Sequence, residues 1–143
     1  MRWPWTRPKP SRTARQQTGT AGERAAERHL RKHGCRILAR NVTFPQGEVD
    51  LVAWEKASRT LLFVEVRSRT VAPGEEPAVT PAQTVTLAKR RRIIRAARVY
   101  MKRHGVSDDQ RVRFDVIGVL FEGDDRKRPV VKHLPAAFDS TGR

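Results

Sequence analysis

The sequence predicts an α/β fold in which a mixed central β-sheet is flanked by helices. Segments rich in β-branched and aliphatic residues, which are typical of strands, lie between two segments with helical periodicity. The predicted order along the chain is one helix, three strands, a second helix and two strands. A chain of 143 residues is long enough for one such domain with its own core.

The chain divides into two parts of different composition. Residues 1–18 are predicted to form a disordered basic leader, and residues 19–143 the folded domain. The leader contains three prolines, five basic residues and no acidic residue, with too few aliphatic side chains to form a core. It also lacks an apolar segment of signal-peptide length.

The first half of the domain is predicted to hold a helix and three strands. The helix has a face of small apolar residues, and Gly34 follows it as a stop signal. A short polar turn, 55–59, separates the second strand from the third. The predicted bounds are 20–33 for the helix and 35–42, 47–54 and 61–67 for the strands.

The second half begins with a loop over 71–81, which contains three prolines and a glycine. The next helix is predicted from Ala82 to His104, and Gly105 ends it. Two strands follow, over 111–121 and 130–134. Asp115 lies beside Arg113 in the first of them and is predicted to form a buried structural pair with it, with membership of a functional site as the alternative. The apolar stripe predicted for the helix consists of Leu87, Ile94, Ala97 and Met101, with Ile93 and Tyr100 beside it.

The charge of the chain favours a polyanionic partner. There are 30 Lys and Arg residues against 15 Asp and Glu residues, which gives a formal net charge of +15. Nucleic acid is the first candidate and an anionic membrane the second. A single cysteine excludes an intramolecular disulfide, and no segment approaches the roughly 20 apolar residues of a membrane span. The expected location is cytoplasmic.

The second helix is the predicted nucleic-acid interface. It carries eight cations without one acidic residue, which destabilises an isolated helix by repulsion unless phosphates neutralise the charge. The alternative is an ordinary solvated helix face. Phosphate contacts would hold the backbone without reading sequence. The predicted contacts are Arg69, Lys89, Arg91, Arg92, Arg95, Arg98 and Lys102.

Acidic residues within the second and third strands predict a hydrolytic centre. Side chains alternate in a strand, so Glu48 and Asp50 share one face, as do Glu65 and Arg67. If the two faces align, carboxylates and a guanidinium converge at one place, as in a metal-dependent nuclease. The alternative is a structural ion pair with Arg67. The sequence contains no phosphate-binding glycine loop, nucleophile elbow or dinucleotide fingerprint.

Several motifs together resemble one family, the YraN-like proteins. The resemblance extends from about Gly19 to Phe138, and it implies a restriction-endonuclease-like fold similar to that of Holliday-junction resolvases. The matching segments are 19–23 at a helix start, Asn41, 47–53, 63–69, Lys89 in a helix with two alanines, and 113–116.

The resemblance implies a role for several residues. Asp50 and Glu65 match the two acids of the nuclease signature, Arg67 stands where the signature has lysine, and Glu23 matches an extra helix acid. Mg²⁺ or Mn²⁺ would be held by Asp50, Glu65 and the carbonyl of Val66. Arginine is too basic to accept a proton, so the metal alone, Glu23 or Glu48 would activate water.

The implied activity is hydrolysis of DNA, with branched or damaged DNA as candidate substrates, and DNA is favoured over RNA by the resemblance alone. Similar resolvases commonly act as dimers, so a homodimer stays open. The main alternative is a nucleic-acid-binding protein that keeps the fold without turnover. Membrane binding is disfavoured, because the leader lacks a helical apolar face.

A zinc site is a weaker alternative. His29 and His33 are spaced i, i+4 on a helix and Cys35 follows closely, but a fourth ligand is not evident. His104 and His133 are isolated in the sequence, so the histidines are predicted to face solvent.

Overall fold

Five strands form one mixed sheet between two helices, which confirms the predicted α/β class. The structure is a computed structural model that describes residues 14–79 and 81–143. Its elements are α1 Ala14–Lys32, β1 Cys35–Phe44, β2 Gly47–Glu55, β3 Thr60–Val71, a 3₁₀ helix Pro81–Thr84, α2 Leu87–Arg103, β4 Val112–Glu122 and β5 Val130–Phe138.

The strands are arranged in chain order across the sheet, from β1 at one edge to β5 at the other. Neighbouring strands are antiparallel except for β3 and β4, which are parallel. A parallel pair needs a crossover connection, and the segment holding the 3₁₀ helix and α2 provides it.

Helix α1 covers one face of the sheet through its small residues. Ala25, Ala26 and Leu30 are buried against aliphatic residues of β2, β3 and β4, as the sequence predicted. Gly22 allows a close approach, because a β-carbon at this position would collide with the side chain of Ser68 on β3.

Helix α2 covers the other face, and its buried stripe differs from the predicted one. The buried residues are Ile93, Ile94, Ala96, Ala97 and Tyr100, whereas Leu87 at the predicted start of the stripe is 46% exposed. The predicted start at Ala82 is also wrong. Residues 81–84 form a 3₁₀ helix, and Thr86 has extended backbone and caps α2.

Other boundaries also differ from the prediction, among them the end of β3, which lies at Val71 rather than at residue 67. Helix α1 begins at Ala14, within the predicted leader, and the rest of that leader, residues 1–13, lies outside the described part. Strand β5 continues through Pro135 to Phe138, four residues past the predicted end. Neither described helix combines the length and the apolar character needed to cross a bilayer.

Candidate active site

Strands β2 and β3 bring two acidic side chains together. The strands are antiparallel, and their pairing ends with Leu51 opposite Val64, the pair that adjoins Asp50 on β2 and Glu65 on β3. The Val66 amide donates a hydrogen bond of 2.8 Å to Asp50 Oδ2. Besides burial, the negative charge of Asp50 also raises the pKa of Glu65, because the two carboxyl groups lie close together. Both acids thus lie on the same face of the sheet.

A bend in the β1–β2 hairpin positions Asp50. The ladder between the two strands skips Asn41 and Asp50, although the positions on either side are paired. Asn41 has a φ of 48°, a left-handed conformation that asparagine tolerates better than most residues. Val49 and Val52 pack in the same core cluster, whereas strict alternation would separate them. The chain therefore departs from regular strand geometry at Asp50.

Glu65 is buried and Asp50 is half-buried, and the pair is short of positive charge. The Glu65 residue is 3% exposed, and its Oε2 has no hydrogen-bond partner among the described residues. Burial and the negative charge of Asp50 raise the pKa of Glu65 to about 9. Burial also raises the pKa of Asp50, against the lowering effect of the Val66 amide. Both groups can be ionised at neutral pH only if further positive charge is added.

Lys89 brings one positive charge to this pair from α2. The Thr86 cap accepts a hydrogen bond of 3.2 Å from the Lys89 amide, which fixes the residue in the first helical turn. Lys89 Nζ lies 2.6 Å from Glu48 Oε1 and 4.0 Å from Glu65 Oε1. Burial would lower the pKa of Lys89, but the hydrogen bond to Glu48 and the charge of Glu65 outweigh burial and raise it. Lys89 is therefore charged at neutral pH.

Arg67 lies at the rim of the same site. Its side chain is 39% exposed, and Nη1 is 3.8 Å from Glu65 Oε1. Its Nε donates a hydrogen bond of 3.1 Å to Thr84 Oγ1 in the 3₁₀ helix. The structural ion pair between Arg67 and Glu65 thus exists, but it is long and half-exposed, and it leaves the other Glu65 oxygen without a partner.

Glu23 of α1 contacts residues that adjoin the acid pair. Its Oε2 accepts a hydrogen bond of 3.3 Å from Asn41. It lines an open pocket of about 470 Å³ together with residues 66–70 of β3. In residues 14–79 and 81–143, no three His, Cys, Asp or Glu side chains are placed to hold one metal ion. Glu23 therefore does not form a three-acid group with Asp50 and Glu65.

Most of the predicted nucleic-acid contacts form one exposed surface on α2, which we term the basic ridge: Arg91, Arg92, Arg95, Arg98 and Lys102. Arg92 of the ridge lies near Glu48, whose pKa is lowered first by the Lys89 hydrogen bond and also by the charge of Arg92. The ridge is therefore continuous with the acidic site. Arg69 is exposed on β3, and Lys89 belongs to the site rather than to the ridge.

A second polar network involves β4, β5 and α1. Asp115 is buried and accepts hydrogen bonds from Arg113 Nε at 2.8 Å and from His133 Nε2 at 2.8 Å. This confirms the predicted structural pair of Asp115 with Arg113. His133 Nδ1 lies 3.1 Å from His29 Nε2, so the prediction that His133 is isolated is wrong. Contact between His29 and His133 spans 104 residues, and no local pattern signals it.

Comparison with known proteins gives one consistent family. The family described as "Uncharacterised protein family UPF0102" matches residues 22–119. A UPF0102 protein of Anaeromyxobacter dehalogenans is 45% identical over 129 residues, covering 90% of this chain and 89% of the relative. A UPF0102 protein of Syntrophotalea carbinolica is 42% identical over 125 residues, covering 87% of this chain and 93% of the relative.

Proposed function

Because the chain belongs to the UPF0102 (YraN-like) family, whose description names no activity, we propose a function from the site itself. The proposed function is that of a metal-dependent endonuclease that hydrolyses phosphodiester bonds in DNA. Family membership confirms the resemblance predicted from the sequence. The activity, the metal and the substrate are proposals that rest on the arrangement of side chains.

The buried and unpartnered Oε2 of Glu65 beside Asp50 is the observation that carries the proposal. A buried carboxylate oxygen without a partner is costly unless a cation or a proton compensates it. Mg²⁺ or Mn²⁺ fits this donor set, because hard cations prefer oxygen and Mg²⁺ commonly uses one or two carboxylates while keeping several waters. Asp50 and Glu65 would hold the ion, with the Val66 carbonyl as the third proposed ligand.

A bound divalent ion would supply a water of lowered pKa and polarise the scissile phosphate. The side chains around it have separate tasks. The Lys89 ammonium neutralises negative charge on the phosphate oxygens and donates hydrogen bonds to them. Arg67, held by Thr84, binds a non-bridging phosphate oxygen through its planar fork. Glu48 is ionised at neutral pH and is the candidate proton acceptor, with Glu23 as the second candidate.

The basic ridge extends the site along the phosphate backbone. Cations spaced along one helix face bind phosphates without reading bases, so recognition by shape fits this surface better than recognition by sequence. DNA is proposed over RNA because of the resemblance to resolvases. Branched or damaged DNA is the proposed substrate class, and a homodimer is the proposed assembly on the same ground.

A second candidate function is nucleic-acid binding without cleavage. Two observations favour it: Arg67 replaces the lysine of the nuclease signature, and Lys89 is held by Glu48 at 2.6 Å. An arginine cannot act as a base, and a lysine bound to a carboxylate is less available to phosphate. Cleavage activity distinguishes this candidate from the nuclease.

The test uses the full chain with single-stranded, duplex and four-way-junction DNA, in the presence of Mg²⁺, Mn²⁺ or a chelator. We expect cleavage of at least one substrate with Mg²⁺ or Mn²⁺ and none with the chelator. Asp50→Asn should reduce cleavage to background while DNA binding remains. Asp108→Asn, which removes an exposed acid beyond α2, is the matched control and should cleave like the wild type.

Two results would decide against the nuclease. If the wild type binds every substrate and cleaves none with either metal, the non-catalytic function is correct. If cleavage persists in Asp50→Asn at the wild-type rate, the activity comes from another site or from a contaminant. Equal loss of cleavage in Asp108→Asn would show that the effect of Asp50→Asn is not specific to the site.

A further inference from the structure

We propose that His29 and His133 form a binding site for a divalent transition-metal ion such as Zn²⁺, separate from the acidic site. The site joins α1 to β5. Its donors are imidazole nitrogens, which suit Zn²⁺, Cu²⁺ and Ni²⁺, whereas the carboxylates at Asp50 and Glu65 suit Mg²⁺ and Mn²⁺. This inference does not depend on the proposed nuclease function.

The distance between the two rings fits a shared metal ion. His29 Nε2 and His133 Nδ1 are 3.1 Å apart, and the rings meet edge to face with centroids 5.1 Å apart. Two nitrogens bound to one tetrahedral Zn²⁺ at its usual bond length are separated by about 3.3 Å. These nitrogens are joined by a hydrogen bond, so a bound Zn²⁺ would take the place of its proton, which would be released, and the two rings would turn until both lone pairs point at the ion.

Asp115 fixes the orientation and the tautomer of His133. Its Oδ1 accepts from Arg113 Nε at 2.8 Å and from the Ala136 amide at 3.0 Å. Its Oδ2 accepts from Arg113 Nη2 at 2.9 Å and from His133 Nε2 at 2.8 Å. A carboxylate with four donors can only accept from His133, so the ring is protonated at Nε2 and presents a lone pair at Nδ1 toward His29.

This arrangement is the one that metal-binding histidines use. A histidine ligand commonly donates its second N–H to a carboxylate, which fixes the ring and raises its basicity. The backbone also supports it: the β4–β5 ladder shifts register between Phe114 and Val116, and Ala136 has a φ of 50°. Together these irregularities aim the Ala136 amide at Asp115. Strand β4, through Asp115, and the backbone of β5, through Ala136, thus hold the His133 imidazole in place.

Solvent reaches the histidine pair from the α1 side. A pocket of about 240 Å³ between α1 and the β4–β5 turn is lined by His29 and by four basic residues, among them Lys32 and Arg128. Solvent molecules would complete the coordination, because the site has two protein ligands. The surrounding positive charge favours an anionic molecule, such as chloride, in one of the open positions.

The test is a calorimetric titration of the tag-free full chain with ZnCl₂, in excess Mg²⁺ so that the acidic site is saturated. We expect one Zn²⁺ per chain. His29→Gln and His133→Gln should each weaken binding by at least about tenfold, the lower limit for disturbing a metal site. His104→Gln and Cys35→Ser are controls that remove another potential ligand and should bind like the wild type.

The proposal would be overturned if both His29→Gln and His133→Gln bind Zn²⁺ as tightly as the wild type does. It would also be overturned if the wild type does not bind one Zn²⁺ per chain. If His133→Gln fails to fold, His29→Gln decides alone, because His29 lies on the helix surface and does not contact Asp115. DNA cleavage with Mg²⁺ should persist in both variants, so failure here is distinguishable from failure of the nuclease proposal.

Discussion

At the scale of single residues, a cation's place in a sequence motif does not determine how close it lies to the acid pair. The resemblance puts Arg67 at the position of a signature lysine, and in the structure its side chain is half-exposed and bound to Thr84. Lys89 is 22 residues further along the chain and reaches the acids from the opposite side, through the first turn of α2. The one lysine in the site is thus supplied by a helix rather than by the strand.

Lys89→Met is expected to abolish most cleavage while DNA binding is largely retained. Methionine keeps the length and the apolar stem of lysine but removes the charge that stabilises the phosphate. Loss of one such donor typically costs about 10²–10³-fold in rate. Single-turnover cleavage rates measure the effect, and Lys102→Met on the same helix is the control. Similar rates for the two variants would contradict a catalytic role for Lys89.

Asp115 predicts how stability depends on pH. It faces Arg113 on its own strand and His133 and the Ala136 amide on β5, and Glu55 reaches it through Arg113. Burial alone would raise the pKa of Asp115, but these hydrogen bonds outweigh burial and hold the pKa below its ordinary value. The resulting stability is present above the unfolded-state pKa, about 3.9, and is lost as the pH falls through the folded-state value.

We therefore expect Asp115→Asn to be less stable than the wild type by about 3 kcal/mol or more at neutral pH, as for other broken buried pairs. The difference should begin to narrow below about pH 4, because the unfolded wild type takes up a proton there, and it should vanish only below the lower folded-state pKa. Urea unfolding at several pH values measures both effects. A difference that stays constant down to acid pH would show that the charge of Asp115 does not stabilise the fold.

Residue-scale contacts were predictable from the sequence only where they are local. The Arg113–Asp115 pair lies two residues apart on one strand and was predicted. The contact of Lys89 with Glu48 spans 41 residues and depends on where the helix crosses the sheet. The resemblance marked Lys89 as part of the pattern but gave it no place in the site.

At the scale of elements, periodicity identified both helices and all five strands, and the errors are at their ends. The predicted start of α2 at Ala82 is wrong because the prediction did not use Thr86 as a capping residue. Threonine commonly caps helices, and here its side chain accepts a hydrogen bond from the Lys89 amide. The predicted end of β5 at Leu134 stands directly before Pro135, and proline is disfavoured within central strands. In this fold Pro135 is tolerated because β5 is an edge strand, paired with β4 alone.

Two glycines of α1 are expected to respond in opposite directions to the same substitution. Gly22→Ala should destabilise the protein by about 1–3 kcal/mol, because the new β-carbon collides with Ser68 and separates α1 from β3. Gly19→Ala should stabilise it by about 0.5–1 kcal/mol, because nothing lies within 4 Å and alanine is the better helix former. Thermal unfolding of the two variants measures the difference.

The double variant Gly22→Ala, Ser68→Gly shows whether the collision is the cause. Removing the Ser68 side chain should recover part of the stability lost by Gly22→Ala, since both atoms in the collision belong to that side chain. If the double variant is no more stable than the sum of the two single changes predicts, the helix and strand do not meet at these residues.

At the scale of the whole molecule, the chain carries a formal net charge of +15, and in its described part the exposed arginines of α2 adjoin the acid pair through Glu48. The sheet separates two chemically different regions: Asp50, Glu65 and Lys89 lie on the side covered by α2, and His29 belongs to α1 on the other side. The basic ridge is continuous with the acidic site through Arg92. A polyanion bound along the ridge would therefore extend to the carboxylates, which the sequence alone could not establish.

This arrangement predicts which cations set the salt dependence of DNA binding. Each phosphate contact that is removed should lower the slope of log affinity against log salt concentration by about 1. Arg95→Ala and Arg98→Ala on the ridge should each show this change, with weaker binding to every DNA sequence tested. Arg59→Asn, in the β2–β3 turn, is the control, because asparagine suits the φ of 53° at this position while removing a charge away from the ridge.

Fluorescence-anisotropy titrations at several salt concentrations give the slopes. Equal slopes for the ridge variants and the wild type would exclude the ridge as the phosphate contact, and an equal decrease for Arg59→Asn would mean that net charge, rather than this surface, determines binding.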